Sequence, residues 1–139
     1  MRFVLVILML GLSCTSCNKN PETFIPYLEG YWEIKQVEKD GKVVKTYNIS
    51  TSIDYFKVNS DLSGFRKKVM PSLDGKFMVT DDESPFVLKI ETDKLNIHYT
   101  VNNVTFKETI KLASETELII INDQGFEYHY QPFQSLKLE

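Results

Sequence analysis

Cysteine and histidine are scarce in this chain, whose 139 residues contain two of each. Both cysteines, Cys14 and Cys17, lie near the amino terminus, so the body that follows them cannot form an internal disulfide. The sequence also lacks a glycine-rich phosphate loop and a recognisable serine-nucleophile motif. These absences predict that the protein is not an enzyme and needs no cofactor.

Positive charge is also limited. Lysine and arginine number 16 against 19 aspartates and glutamates, which gives a formal net charge of -3. Neutralising a phosphate backbone requires a basic surface, so we expect no nucleic acid among the partners. The chain is long enough for one domain, and its 42% hydrophobic and 12% aromatic content is typical of a folded globular protein.

The first residues have the pattern of an export signal. Arg2 precedes an apolar run of about ten residues, too short to span a bilayer, and small residues follow it. The end of this run resembles the lipobox of bacterial lipoproteins, in which the chain is cleaved before a cysteine that becomes lipidated. That resemblance implies a signal peptide over residues 1–16 and lipidation of Cys17, with Cys14 as the alternative.

The resemblance also implies a place in the cell. A lipidated first residue would anchor the protein to the cell envelope, and we expect the outer membrane of a Gram-negative bacterium. Residues 17–26 contain two prolines and no strand pattern, and they are predicted to form a tether. Residues 27–139 are predicted to form the folded domain.

The body of the chain alternates apolar and polar residues, with turn signals such as Asp40-Gly41, Thr92-Asp93 and Asn102-Asn103 between the alternating segments. The pattern predicts strands over 31–39, 42–48, 63–70, 76–80, 86–91, 94–100, 104–112, 117–122 and 126–131. Residues 53–58 fit either a strand or one helical turn. Since the connections are short, we predict an all-β fold, an antiparallel up-and-down meander that closes into a barrel of about eight strands.

The start and the end of this domain carry a family resemblance. The segment Gly30-Tyr31-Trp32 is similar to the Gly-x-Trp opening of lipocalins and fatty-acid-binding proteins. The segment Tyr128-His129-Tyr130 resembles the aromatic last strand of lipocalin-like bacterial lipoproteins. The resemblance implies a lipocalin-like barrel in which Gly30 lets the chain turn into the first strand and Trp32 plugs the closed end.

Alternation also identifies candidate ligand-binding residues. Glu108 falls on the apolar face of its strand, and Lys67 has a similar position between Phe65 and Val69. A buried carboxylate needs a partner, so these two side chains would form an interior pair or contact a ligand. In the other interpretation a bulge turns Glu108 outward. Four aromatic residues are predicted to line the same interior: Tyr99, Phe106, Tyr128 and Tyr130.

The remaining polar residues favour simpler interpretations. His98 and His129 lie on polar faces and, with Glu127, would form a metal site only on neighbouring strands, whereas the meander places two strands between the histidines. We therefore expect no metal. The basic run Arg66-Lys67-Lys68 is predicted to be a solvated strand.

The function that these features favour is a lipid-anchored envelope protein whose barrel binds a small hydrophobic or amphipathic ligand. The alternative is a solid barrel that serves as an interaction or assembly module in an envelope complex. An interior cavity of about 300 to 1,000 Å³ would favour the binder.

Overall fold

The structure is a computed structural model that describes residues 19–49, 52–72, 74 and 76–134. The predicted signal peptide, Cys14 and Cys17 lie outside the described residues. A short 3₁₀ helix, Pro21–Phe24, and one turn of α-helix, Ile25–Leu28, precede the sheet. The strands are β1 Gly30–Lys39, β2 Lys42–Thr46, β3 Ile53–Val58, β4 Ser63–Pro71, β5 Phe77–Glu91, β6 Lys94–Val101, β7 Val104–Ala113, β8 Leu118–Asn122 and β9 Phe126–Pro132.

The strands form one antiparallel sheet that closes on itself. From β3 to β9 each strand pairs with the next in sequence, and β1 pairs with β9, so β1 and β3–β9 make an eight-stranded barrel. This confirms the predicted all-β meander and its closure. One edge of β1 is divided, because residues 30–32 pair with β3 whereas residues 36–39 pair with β2. The barrel wall is therefore split between β2 and β3 at one end.

The hairpin turns follow from their residues. Both central residues have positive φ in Asp40-Gly41, Thr92-Asp93 and Asn102-Asn103, with values between 50° and 74°. Asparagine, aspartate and glycine tolerate this region best, and they occupy five of these six positions; Thr92 adopts it despite its branched side chain. Turns of this kind match the right-handed twist of the flanking strands. These turns fix the register of three of the predicted hairpins.

Residues 53–58, which fitted either a strand or one helical turn, are a strand, β3. The predicted strands 76–80 and 86–91 are parts of the single strand β5, which passes a register irregularity opposite Lys67–Val69 of β4. The predicted tether is folded from Pro21 onward, because the side chains of Phe24 and Leu28 are buried against the barrel.

Trp32 lies at the end of the barrel that these first helical turns cover, which we call the closed end. Its side chain is 4% exposed, and its indole Nε1 donates a hydrogen bond of 2.9 Å to the Leu28 carbonyl. Gly30 introduces β1 with a φ of 139°, a conformation that side chains disfavour. Within the described part of the chain, no helix is long and apolar enough to cross a membrane.

The barrel interior has two levels. Toward the closed end it is filled by packed apolar side chains, which we call the lower tier: Phe24, Leu28, Trp32, Phe86, Leu88, Leu95, Ile97, Ile110, Ala113, Leu118 and Ile120. Dense packing of this kind supplies most of the stabilisation that burial can give. Above the lower tier the interior becomes polar, and the wall is split there.

A row of aromatic rings lies on the outside of the barrel. Tyr31 stacks on Phe77 with 4.6 Å between ring centroids and also contacts Tyr55 at 4.6 Å. Phe77 begins β5, so the β4–β5 hairpin bends over the outer face of β1 and β3. We call this set the outer aromatic row: Tyr31, Tyr55, Phe65, Phe77 and Phe133.

Candidate functional site

Arg66 is the centre of the polar part of the interior. Its Nη2 donates to Asp54 Oδ2 at 2.7 Å and to the Tyr130 hydroxyl at 2.8 Å. Its Nη1 donates to Glu108 Oε2 at 3.1 Å and to the Tyr99 hydroxyl at 3.3 Å. The Tyr99 hydroxyl also donates to Glu108 at 3.1 Å. One guanidinium thus connects side chains from β3, β6, β7 and β9 to β4.

Strand register explains why Arg66 points inward. It pairs with Phe56 of β3, and Lys68 pairs with Asp54, so Arg66 and Lys68 share the interior side with those residues. The guanidinium lies 5.1 Å from the centre of the Phe56 ring, a distance at which a cation and an aromatic face attract each other. The prediction that the basic run is a solvated strand is therefore wrong for Arg66, whose side chain is 18% exposed.

The same register places Lys67 on the outside. Its Nζ lies 2.9 Å from Glu83 Oε1 and above the ring of Phe65, and the predicted partnership between Lys67 and Glu108 does not form. The sequence pattern misled because Phe65 and Val69 are apolar but face outward, toward the outer aromatic row and the bent hairpin. Arg66 takes the place that was predicted for Lys67.

The electrostatics of this network are balanced. Burial alone would raise the pKa of the Asp54 carboxyl, but the charges of Arg66 and Lys68 outweigh it and hold that pKa below its usual value. Burial raises the pKa of the Tyr99 and Tyr130 hydroxyls far above the ordinary tyrosine value. Both hydroxyls therefore stay protonated and available as donors at physiological pH.

A cavity of about 400 Å³ opens beside Arg66, at the split in the barrel wall. Its lining combines charged and apolar groups, and the lining residues are Ile34, Tyr47, Ile49, Ser52, Asp54, Arg66, Lys68, Glu108, Tyr128 and Tyr130. The volume lies in the range of small-molecule sites. The Asp54 carboxylate also forms an ion pair with Lys68, with 2.9 Å between Nζ and Oδ1.

The structure brings together most of the predicted ligand-binding residues. Glu108, Tyr128 and Tyr130 line the cavity, and Tyr99 belongs to the Arg66 network beneath it. The Tyr128 hydroxyl accepts a hydrogen bond of 3.2 Å from Asn122 Nδ2. Phe106 stacks on Tyr99 at 4.7 Å but is 43% exposed, and it does not line the cavity.

Sequence reasoning missed Arg66, Asp54 and Lys68 as site residues. One feature of the sequence could have identified Arg66. An interior Glu108 needs a cation, and Arg66 is the only arginine after the signal segment. The alternation of Gly64, Arg66 and Lys68 on one side of the strand would have completed the argument.

The two histidines lie on separate strands, as the meander predicted. His98 pairs with the Glu91 carboxylate. His129 on β9 lies beside Glu38 and Glu127 on the outer face of the barrel, 3.4 Å and 4.0 Å from their Oε2 atoms.

A wider groove of about 990 Å³ lies on the surface at the closed end, between the first helical turn, the β5–β6 turn and strands β6–β8. Its lining residues are Lys19, Asn20, Pro21, Phe24, Thr92, Asp93, Lys94, Leu95, Thr109, Ile110, Lys111 and Ile121. The smaller cavity is the better candidate site, because it is the one that the convergent Arg66 network faces.

Comparisons with known proteins identify a domain family. The profile of the family described as "Lipocalin-like domain" matches residues 28–120. A lipocalin-like protein from Bacteroides uniformis matches with 13% identity and a TM-score of 0.46, covering 76% of this chain and 98% of its own. An uncharacterized protein from Bacteroides eggerthii matches with 13% identity and a TM-score of 0.47, covering 76% and 99%. No curated protein matches the chain.

Proposed function

This chain belongs to the lipocalin-like domain family, and we propose that its barrel binds a small amphipathic molecule in the cavity beside Arg66. The observation that carries the proposal is the mixed lining of this cavity. Its charged groups belong to Arg66, Lys68, Asp54 and Glu108, whereas the side chains of Ile34, Ile49 and Tyr128 are apolar or amphipathic. A ligand with a polar part and an apolar part would match both kinds of lining.

The charges of the site indicate what the polar end should be. Arg66 and Lys68 carry two positive charges, and Asp54 and Glu108 carry two negative ones. The formal charges sum to zero, and each group already has a partner. A neutral or zwitterionic polar group is therefore favoured, because a strongly charged one would leave an unbalanced charge in a partly buried site.

The lower tier limits the length of the ligand. Leu95, Ile97 and Leu118 have no exposed surface, and they close the interior below the Arg66 network. A long acyl chain would have to displace these packed side chains. We therefore propose a short or compact ligand that occupies only the open end of the barrel.

Binding of the neutral dye N-phenyl-1-naphthylamine to the full chain tests this proposal. We expect its fluorescence to rise on binding to the wild type. Ser52→Trp should fill the cavity and abolish the rise, whereas Val87→Trp, at an exposed position outside the cavity, should leave it unchanged. Glu108→Gln should alter the affinity. A wild type that does not bind the dye, or equal binding by Ser52→Trp, would contradict the proposal.

The outer aromatic row favours a second candidate, an interaction module in an envelope complex. Its rings lie outside the barrel, and Tyr31 is 39% exposed. Tyr31→Glu would disrupt such a surface without touching the cavity. Loss of a co-purifying partner in Tyr31→Glu, together with normal dye binding, would support this candidate.

We further propose that the protein is lipid-anchored at Cys17, with Cys14 as the alternative, and that it resides in the outer membrane of a Gram-negative bacterium. The sequence pattern of residues 1–17 supports this. Since Phe24 and Leu28 pack at the closed end, such an anchor would hold that end toward the membrane and leave the cavity facing away.

Metabolic labelling with a palmitate analogue tests the anchor; it should tag the wild type and fail to tag Cys17→Ala. Labelling that survives the double variant of Cys14 and Cys17 would refute the anchor.

A further inference from the structure

We propose that Glu38, Glu127 and His129 form a site for a divalent transition-metal ion on the outer face of the β1–β9 seam, with Zn²⁺ as the ion that fits best. Each residue offers one ligand atom, and these atoms all lie within 4.8 Å of one another. The site is separate from the cavity beside Arg66.

Strand register creates the cluster. Glu38 on β1 and Glu127 on β9 are directly paired, and His129 follows Glu127 on the same face of the strand. Two carboxylates directly opposite each other in an antiparallel pair repel. A cation between them would convert this repulsion into attraction.

The imidazole of His129 is the second observation. Its Nε2 is shielded from solvent and makes no hydrogen bond to any residue that the structure describes. A shielded ring nitrogen that makes no hydrogen bond is unfavourable, and such groups in folded proteins call for an explanation. Its distances to the Oε2 atoms of Glu38 and Glu127 are 3.4 Å and 4.0 Å. A metal ion would accept the lone pair of this nitrogen.

The Oε1 atom of each of the two carboxylates already has a partner outside the cluster. Gln36 Nε2 donates to Glu38 Oε1 at 2.7 Å, and Lys111 pairs with Glu127 Oε1. These contacts leave the two Oε2 atoms directed toward His129. Metal sites use outer-shell hydrogen bonds of this kind to orient their ligands.

The donor set suits Zn²⁺. One imidazole nitrogen and two carboxylate oxygens, with bonds of about 2.0 to 2.2 Å, leave a fourth tetrahedral position for water. Tetrahedral ligands at such bond lengths stand about 3.4 Å apart, which is already the distance between His129 Nε2 and Glu38 Oε2. The other pairs of ligand atoms, which lie within 4.8 Å of one another, would have to move closer by up to about 1.4 Å. The three side chains are 15% to 22% exposed, so an ion can enter from solvent.

Calorimetric titration of the full chain with ZnCl₂ at neutral pH tests the proposal. We expect one ion to bind per chain. His129→Gln and Glu38→Gln should each weaken binding by about tenfold or more. His98→Gln is the matched control, because it removes the other histidine, which lies on β6, and it should leave the affinity unchanged. Zn²⁺ should also raise the melting temperature of the wild type but not that of folded His129→Gln.

The alternative to a metal ion is a proton on Nε2 that pairs with the carboxylates. Histidine NMR with excess Zn²⁺ distinguishes the metal-bound from the protonated ring, because a bound ion keeps the ring of His129 neutral and shifts its signals. A ring that stays protonated at neutral pH, an absence of saturable heat, or an equal loss of affinity in His98→Gln would each overturn the proposal. Signals of His129 that shift on addition of one equivalent of Zn²⁺ would support it.

Discussion

The guanidinium of Arg66 on β4 reaches across the barrel interior to the carboxylate of Glu108 on β7, with 3.1 Å between Nη1 and Oε2. Strands β5 and β6 lie between them in the sheet. The contact is therefore not a cross-strand pair but a connection between opposite walls. It also lies at the boundary between the packed lower tier and the cavity.

Replacement of Arg66 should destabilise the barrel strongly. Arg66→Met would remove the guanidinium that pairs with both carboxylates and leave the buried Asp54 with Lys68 and the part-buried Glu108 with the Tyr99 hydroxyl. We expect a loss of about 3 to 5 kcal/mol in the free energy of unfolding. Lys67→Met is the adjacent control; its partner Glu83 is exposed, so the loss should stay below about 1 kcal/mol. Urea denaturation measures both. Equal stability of the two variants would contradict the role of Arg66, and adding Asp54→Asn to Arg66→Met should restore part of the loss.

Asp54 should make the protein sensitive to acid. Burial raises the pKa of its carboxyl, but Arg66 and Lys68 lower it further than burial raises it. The folded pKa is therefore below the unfolded value of about 3.9, and the carboxylate stabilises the fold fully above that value. This contribution is lost as the pH falls through the folded pKa. The stability difference between the wild type and Asp54→Asn should therefore shrink below about pH 4 in urea denaturation, whereas Asp123→Asn, at an exposed turn, should show no such trend.

Gly64 should not tolerate a side chain. A Cβ atom there would lie 2.0 Å from the Lys57 carbonyl oxygen and 2.7 Å from the Phe86 ring. The backbone oxygen cannot move aside without disturbing the β3–β4 pair, so Gly64→Ala should cost at least about 1 to 3 kcal/mol. Gly41→Ala has nothing within 4 Å and isolates the cost of positive φ alone. Thermal unfolding of both variants checks this, and a Gly64→Ala protein as stable as the wild type would show that the contact is absent.

Trp32 should report directly on the closed end. It is the only tryptophan of the chain, it is buried, and its indole N–H is bonded to Leu28. We expect blue-shifted native emission that moves to the red on unfolding. Trp32→Ala should destabilise the domain by about 3 to 5 kcal/mol, and Trp32→Phe by less, since it retains most of the packing. Native emission typical of water would contradict the buried position.

Sequence alternation predicted much of the fold because the side-chain period of a strand is two. It placed Leu95, Ile97 and Tyr99 on one face, and all three are buried. It also placed Glu108 inside. It failed in β4, where Phe65 belongs to the outer aromatic row and Val69 is buried on the same outward side of the strand. Periodicity shows that two faces differ, but it cannot tell which face is interior when both are covered by apolar groups.

The centre of the site was harder to predict for a different reason. Arg66 contacts residues between 12 and 64 positions away along the chain. Local patterns carry no information on such pairings until the strand order and register are known. The short segment of β3 that contributes Asp54 was also too brief to distinguish from a helical turn.

The pairing of β1 with β9 has a consequence for how the chain folds. Gln131 Nε2 bonds to Glu33 Oε2 across a separation of 98 residues, whereas the other neighbours in the barrel, apart from β1 with β3, are joined by short turns. The entropy lost in closing a loop grows with its length, so this contact is the costliest to form. Until β9 docks, an incomplete chain has unpaired edges at β1 and β8, and such edges are prone to aggregation. The seven residues of β9 therefore complete the pairing that removes these edges, and a nascent chain stays prone to aggregation until they have been made.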